Sequence, residues 1–329
     1  MSWYNEKGNM QETVLSTRAR LARNVKGMRF PFSMTDGEAK KVIQKVDEAI
    51  KPIADTFTRY DMEKISDRDA LMLVEKHLIS PNFKLESIPR VCYISKNEEM
   101  SIMVNEEDHI RIQCFAAGYN PSTVLEQCGR VDDLIKERID YAFHEKYGYL
   151  TACPTNCGTA LRISAMMHLP AIVLSGGEGQ LIRECAKNGM TVRGVYGEGS
   201  KTAGNIYQIS NQITLGITIN ELEDRFKQVT MMASDAEREI RENLAKNPSD
   251  ELLDKIHRSY GILKNAYTLT SKEFTELQSM IRLGVYMGRL NTNLTEITRL
   301  AVETSPAFLG GLTPAERDRK RAVEVKKSI

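Results

Sequence analysis

The chain changes character at Asn220, and that change limits the folds open to it. Before it, short apolar runs broken by polar turns mix with amphipathic stretches; after it every legible segment is helical. Residues 91–94, 102–104 and 110–112 are short apolar runs that suggest antiparallel pairing. Residues 191–193, 205–209 and 212–218 read as further strands. Residues 35–53 place Val42, Ile43, Val46 and Ile50 at helical spacing, with Thr35 or Asp36 as the cap. Residues 124–147 read as a long helix with Val131, Leu134, Ile135, Ile139 and Ala142 on one face, and 158–169 as another helix, stopped by Pro170. Helices are then expected over 221–243, 250–267, 272–290 and 294–303. The last helix opens on Thr313 as N-cap, Pro314 in the first turn and Glu316 three residues after the cap. The expectation is α+β: an antiparallel sheet flanked by helices over residues 1–240, and an all-α domain over 241–329, with Asn247-Pro248-Ser249 as the nearest break. A chain of 329 residues suits two domains, since one core rarely grows past ~250–300 residues.

Lys+Arg 45 against Asp+Glu 44 gives a net charge of +1, which argues against a bulk nucleic-acid binder. Clustered arginines therefore need a local explanation. The start carries no apolar signal core, and the best apolar run, 165–174, is short and holds His168 and Pro170, so no membrane span is expected. The six cysteines show no disulfide-framework spacing and no Cys-x-x-Cys pair, which fits reduced thiols in the cytoplasm.

The densest chemistry is Asn105-Glu106-Glu107-Asp108-His109 with Arg111 beyond it. Alone it suits a solvated hairpin turn equally well. Its company is Ser16-Thr17-Arg18-Ala19-Arg20, the run 153–162 containing Cys153 and Arg162, and Arg193-Gly194-Val195-Tyr196-Gly197-Glu198. Familiar phosphate cradles are missing. Residues 194–202 miss the P-loop spacing because Ser200 separates the second glycine from the lysine, and Gly176-Gly177-Glu178-Gly179 lacks the third glycine of a dinucleotide fingerprint. Side chains would have to hold any nucleotide. Arginine suits this, because its guanidinium stays charged and its rigid donor fork matches phosphate oxygens. Arg18, Arg20, Arg111, Arg162 and Arg193 are the candidates; each alone reads more readily as a surface arginine in a salt bridge, and it is their joint recurrence that weakens that reading. Glu107 and Glu198 then suit a cationic acceptor. Carboxylates that grip a guanidinium orient one nitrogen and can take its proton. Cys153, as a thiolate, would add negative charge there; a buried thiol is the plain alternative.

Those four segments resemble the phosphagen (guanidino) kinases in order and local motif over roughly residues 12–220. The closer resemblance is to the bacterial protein-arginine kinases of the McsB type. It is carried by Val74-Glu75-Lys76-His77-Leu78-Ile79-Ser80-Pro81, residues 105–113, Tyr149-Leu150-Thr151 leading into the cysteine motif, and residues 208–215, and it continues into the carboxy-terminal helices. The resemblance implies that Ser16, Thr17, Arg18, Ala19 and Arg20 hold ATP phosphates and that His77 contacts the nucleotide. Arg111, Arg162 and Arg193 would clamp phosphates. Ile163, Ser164, Ala165 and Met166, with Gly194, Val195, Tyr196, Gly197 and Glu198, would complete the nucleotide site. Glu107 and Glu198 would be the catalytic carboxylates and Cys153 the active-site thiol. Mg2+ would come with ATP, held mainly through its phosphates rather than by a protein site.

Free-guanidine kinases carry an additional helical domain ahead of the first arginine motif. Only 15 residues precede Ser16, so that domain is not expected, and an open acceptor site suits arginine on a polypeptide. Arg317-Asp318-Arg319-Lys320-Arg321-Ala322 fits the RDxxRA pattern, which implies a phosphoarginine-binding allosteric site at Arg317, Asp318, Arg321 and Ala322. Physically, Arg317 and Arg321 lie one helical turn apart and can share an anion; an exposed basic helix is the alternative. Cys157 and Ala160 depart from the pattern, standing where a small aliphatic residue and glycine are expected. Thr17 and Ala19 depart too, and Ile329 falls soon after the RDxxRA motif, leaving out a longer family tail. The expectation is a cytoplasmic, homodimeric, ATP-dependent kinase of arginine residues in proteins, part of a stress response. Its products would be marked for Clp-type proteolysis, and a small zinc-binding protein would activate it. Alternatives are a kinase of free arginine or another small guanidine, and a silent phosphoarginine-binding adaptor; intact Glu107, Glu198 and the arginines speak against the adaptor.

Overall fold

The computed structural model of the chain describes residues 2–84, 88–194 and 203–329. Its elements run β1 (Val14–Arg23), α1 (Asp36–Ala49), β2 (Phe57–Asp61), α2 (Asp67–Glu75), β3 (Val91–Ser95), β4 (Met100–Val104), β5 (Ile110–Ala117), α3 (Pro121–Lys136), the short hairpin β6 (Phe143–His144) and β7 (Gly148–Tyr149), β8 (Leu161–His168), α4 (Pro170–Leu174), α5 (Glu178–Lys187), β9 (Met190–Arg193) and β10 (Ile206–Asn211). Helices α6 (Ile219–Lys246), α7 (Asp250–Asn265), α8 (Ser271–Tyr286), α9 (Leu294–Glu303) and α10 (Pro314–Ser328) follow. Apart from the hairpin, the strands form one sheet in the order β2-β3-β4-β5-β1-β8-β10-β9, antiparallel at every described pairing.

Side-chain alternation gives this sheet two unlike faces. Ala19, Leu21, Ile112, Cys114, Ile163, Ala165 and Ile209 share one face and form a core with Val42 and Val46 of α1, Val124 and Ile135 of α3, and Phe226 and Val229 of α6. Burying each large side chain of this kind contributes about 1.5–3 kcal/mol, so the register of the central strands is strongly specified. On the other face, Cys92, Ile94, Met103 and Phe115 are covered by Leu73 of α2 and by Leu78, Ile79 and Phe83. That cover stops short of the middle of the sheet, where the polar side chains of β1, β5 and β8 face a cleft.

The segment 158–169 corrects the helix expected there. Leu161–His168 is a strand between β1 and β10. Leu, Ala and Met favour helix, but Leu161, Ile163, Ala165 and Met167 alternate with Arg162, Ser164 and Met166, and burial in the sheet outweighs intrinsic propensity. The expected long helix 124–147 ends at Lys136, and Ile139 and Tyr141 complete its core contacts from the turn that leads to β6. Residues 212–218 lie outside any strand. The helices after Asn220 stand as expected, and α10 begins with the Thr313/Glu316 capping box.

The carboxy-terminal helices pack onto the sheet domain. Ser279 of α8 bonds His168 at 2.9 Å and accepts from Asn205 at 2.9 Å, and Tyr286 donates to Gln11 O at 3.0 Å. Arg68 of α2 donates to Phe308 O at 3.3 Å, while Glu75 accepts from the Ser305 hydroxyl and from the Ala307 N–H at 3.0 Å. Glu237 of α6 is fully buried and caps α4, accepting from the N–H groups of Ala171 and Ile172 at 2.9 Å. Burial pushes its carboxyl up from 4.5 to about 7, against the pull of those two N–H groups and Arg241. The folded protein therefore holds a proton at Glu237 that the unfolded chain releases between pH 4.5 and about 7, so this group's contribution to stability falls as pH rises through that window. Urea unfolding of Glu237→Gln between pH 5 and 7 should show a less negative slope of stability against pH than the parent.

Candidate functional site

Strand pairing alone brings the arginines together. Arg20 of β1 stands opposite Arg162 of β8 and opposite Gln113 of β5, while Arg18 faces Ser164 and Phe115. Arg111 lies on β5 opposite Ala22, and Arg193 of β9 pairs with Gln208, itself opposite Met166. Directly opposed residues share a face, so Arg18, Arg20, Arg111, Arg162 and Arg193 project from the same side of the sheet. Two adjoining cavities share Arg20, Arg111, Arg162 and Arg193 as a common wall. The larger, about 680 Å³, is also lined by Glu106, Glu107, Asp108 and Cys153. The smaller, about 230 Å³, is lined by Arg18, His77, Gln113 and Gln208. One compartment is acidic, the other cationic, and guanidinium groups divide them.

The wall's charges are only partly balanced within the protein. Burial, then the neighbouring Arg111 and Arg162, push Arg18 down to about 9; burial and the repulsion of Arg18, Arg111 and Arg162 hold Arg20 well below its ordinary value. Arginine keeps its proton regardless, so these shifts measure repulsion that a polyanion would relieve. Arg111 differs. Burial opposes its charge, but Glu106 at 2.8 Å, with Glu107 and Asp108, raises its pKa. Burial pushes the Glu106 carboxyl up, but Arg111 and then the Glu107 N–H outweigh it and hold the group at about 2.

Each residue of the acidic knot has a separate task. Asn105 adopts φ 63°, and its amide donates to Ala39 O and Pro89 O, fixing the turn. Asp108, buried, accepts from Asn24 Nδ2 at 2.6 Å and from the Ala152 N–H at 2.7 Å, which ties the knot to the Cys153 loop. His109 Nδ1 accepts from the Val25 N–H at 2.9 Å, so Nε2 carries the proton it shares with Arg29 O. Glu107 is left exposed to the cleft. Partial burial, then Asp108 and Glu106, raise its pKa against the pull of Arg111 and Arg162. A carboxylate with a raised pKa, facing a cleft, is a better proton acceptor than an ordinary surface glutamate.

His77 lines the smaller cavity together with Arg18 and Gln113, its imidazole pKa lowered to about 4 by burial and then by Arg18. Ser16, Ser164 and Met166 line a small extension of that cavity beside Arg18, His77 and Trp3. Cys153 lines the larger cavity, its thiol 3.0 Å from the Thr155 hydroxyl. The alternation corrects the segment-wise assignment: Thr17, Ala19, Ile163 and Ala165 point away from the cleft and are fully buried on the core face. Their backbone groups belong to the sheet, and the Thr17 hydroxyl donates to Gly118 O at 2.7 Å. Gly194 follows the end of β9; Val195, Tyr196, Gly197 and Glu198 lie outside the described residues. At the far end of the chain, Arg321 and Ala322 are buried, with Arg317 and Asp318 partly exposed. The expected sharing of one anion by Arg317 and Arg321 meets another arrangement. Arg321 donates to Thr304 O at 2.9 Å, Leu269 O at 2.7 Å and Asp318 Oδ1 at 2.7 Å, joining α10 to the end of α9 and the start of α8.

Sequence reasoning gave no role of their own to Asn24, Asp108, Gln113 and Gln208. Gln113 donates to Leu78 O and to Ser101 Oγ at 2.7 Å, and Gln208 accepts from Arg18 at 3.1 Å. Period-2 alternation with Arg111 would have placed Gln113 on the arginine face; Asn24 carries no local signal. Ala160 has φ 49°, the left-handed region that favours glycine, at the start of the strand holding Arg162. Ala160→Gly should remove a strain of about 1 kcal/mol and raise the urea midpoint modestly, the gain being reduced by glycine's unfolded-state freedom.

A family model described as ATP:guanido phosphotransferase, C-terminal catalytic domain, matches residues 39–240. One described as protein-arginine kinase McsB C-terminal domain matches residues 249–329. The protein-arginine kinase of Caldanaerobacter subterraneus subsp. tengcongensis is 42% identical over 328 residues, covering 97% of each chain. That of Bacillus subtilis (strain 168) is 42% identical over all of this chain and 93% of its own. Among solved structures, lombricine kinase superposes with a TM-score of 0.60 at 26% identity, covering 70% of this chain and 68% of its own. The duplicated taurocyamine kinase from Schistosoma mansoni gives a TM-score of 0.65 at 22% identity over 82% of this chain and 40% of its own, a likeness of fold.

Proposed function

Because the chain belongs to the protein-arginine kinase family, we propose that it transfers the γ-phosphoryl group of ATP to a guanidinium nitrogen of arginine in polypeptides. The arginine wall between a cationic and an acidic compartment carries this reading. The triphosphate enters from the side of Arg18 and His77, and the guanidinium from the side of Glu107 and Cys153. A guanidinium is a weak nucleophile because its lone pairs are delocalised; Glu107 orients one nitrogen and takes its proton as the N–P bond forms and the bond from the γ-phosphorus to the bridging oxygen breaks. Arg20, Arg111, Arg162 and Arg193 meet the negative charge that spreads over the transferring group. Glu198 is assigned as the second carboxylate on the resemblance of its motif alone.

Mg2+ is taken as part of the substrate, entering on the ATP phosphates and neutralising part of their charge. The donor set supports this. Glu106 is paired with Arg111, and Asp108 Oδ1 accepts from Asn24 and from the Ala152 N–H, which commits both residues to donors of the protein itself. The reading assigns residues 1–240 to catalysis and 241–329 to dimerisation and phosphoarginine binding, with the pair of family models as support. It places the enzyme in the cytoplasm as a homodimer in stress responses, its products marked for a Clp-type protease and its activity raised by a small zinc-binding protein; the relatedness to protein-arginine kinases supports these assignments. Among the described residues no helix is long and apolar enough to cross a membrane.

The test is mass spectrometry, under conditions that preserve N–P bonds, of a protein mixture treated with this chain and MgATP, beside a reaction with free arginine. Acid-labile phosphate on arginine side chains of proteins is the expected result. Phosphate on the free amino acid alone would make the chain a small-guanidine kinase, and none on either would leave a phosphoarginine-binding adaptor.

A further inference from the structure

The smaller cavity has an end that most of the arginine wall does not reach. Among the described residues, Arg18 is the one cleft arginine that lines its narrow extension, and the other lining side chains carry no charge at neutral pH; Trp3, Phe115 and Met166 are among them, with His77 kept neutral by a pKa of about 4. A polyphosphate running along the arginines meets its last one there. The extension is narrow, about 20 Å³, so it admits the edge of a ring whose body lies in the 230 Å³ cavity.

Trp3 reaches this end from a segment that precedes the sheet. Residues Trp3–Asn5 form a single 3-10 turn, and its two aromatic side chains are buried, edge-on to each other at 5.7 Å. The segment is tied to the end of α2. Ser2 Oγ donates to Glu98, which also pairs with Lys76, and Trp3 Nε1 donates to Lys76 O at 3.3 Å. The next residue, His77, has φ 62°, a left-handed backbone that few residues other than glycine adopt. Carbonyls on both sides of this turn are held: Lys76 O by the indole N–H, His77 O by Gln113 Nε2 at 3.2 Å. The indole and imidazole rings lie 6.1 Å apart with their planes 39° from parallel. Two fixed, uncharged rings at the end of a cationic cavity suit a ligand that is anionic at one end and a flat aromatic at the other.

Resting on the proposed reaction, we infer that Trp3 is a specificity-determining residue of the donor site: its indole closes the base end of the nucleotide cavity and, through Lys76 O, sets the His77 ring against the base. A phosphate donor that lacks a base gains nothing from Trp3.

Trp3 is the chain's one tryptophan, so its fluorescence, excited where tyrosine does not absorb, reports this position alone. Saturating MgADP should change the emission of the parent chain, and magnesium pyrophosphate, which offers the phosphates without the base, should not. By calorimetry, Trp3→Ala should bind MgADP about tenfold more weakly, the scale of losing one aromatic partner of a base, and bind magnesium pyrophosphate as the parent does. Its KM for MgATP should rise by a similar factor with kcat nearly unchanged, and Trp3→Phe, which keeps a ring there, should recover most of the loss. Emission unmoved by MgADP, or moved equally by pyrophosphate, would overturn the inference in the parent chain, whether or not the variants fold. Equal loss of affinity for MgADP and pyrophosphate in Trp3→Ala would overturn it too, leaving Trp3 a residue of the fold. These outcomes are separate from the reaction itself. A base-dependent signal without phosphoarginine in any protein would sink the proposed activity and keep the role of Trp3; phosphoarginine without a base-dependent signal would do the opposite.

Discussion

Arg20→Ala will lower kcat/KM for MgATP about a thousandfold, measured by phosphate incorporation into an arginine-containing protein. The magnitude is that of a preorganised donor aimed at transferring phosphoryl charge, where single deletions cost roughly 10²–10³ and a catalytic arginine 10³ or more. Arg20 warrants the upper end because it lies at the centre of the wall, opposite Arg162 and lining both cavities. Burial, then the neighbouring Arg18, Arg111 and Arg162, hold its pKa well below the ordinary value. Removing it relaxes that repulsion, so the fold should survive and the urea midpoint should hold or rise. Lysine should rescue little, since a point charge cannot replace a planar fork between two phosphate oxygens. Recovery of more than a tenth of parental activity in Arg20→Lys would count against a bidentate role.

Glu107→Gln will lower kcat by about 10²–10⁴ with little change in KM for MgATP, because it removes a proton acceptor and keeps shape and one acceptor oxygen. The pH profile gives a second readout. Partial burial and then Asp108 and Glu106 raise the Glu107 carboxyl above its usual range. The parental rate should therefore fall on the acid side as Glu107 takes up its proton, at a pH above that of an ordinary glutamate, and the variant should lose that limb. A loss of ATP affinity matching the loss of kcat would instead place Glu107 in nucleotide binding.

Much of the cleft was legible in its arginine- and carboxylate-bearing segments, but the sequence reading assigns no element to residues 16–20. Strand alternation along β1 puts Arg18 and Arg20 on one face and Ala19 on the other. The same rule excludes Thr17, Ala19, Ile163 and Ala165 from the cleft, a step that assigning whole segments overlooked. Residues 158–169 were misread because Leu, Ala and Met satisfy a helix locally, and only the neighbouring β1 and β10 hold them extended. The pairing of Glu75 with Ser305 and Ala307, and of Asp108 with Asn24 and Ala152, links residues far apart in the chain and leaves no periodic trace. Arg321 shows the reverse limit: its motif is local and plain, yet its donors turn inward to carbonyls.

Because four guanidinium groups border both compartments at once, the occupants of the two sides cannot bind as strangers. Phosphates arriving on one side cancel positive potential that would otherwise repel a cation on the other. By thermodynamic reciprocity the cation must then tighten the nucleotide by the same factor. Synergy between donor and acceptor is thus written into a partition one side chain thick, with no moving part required.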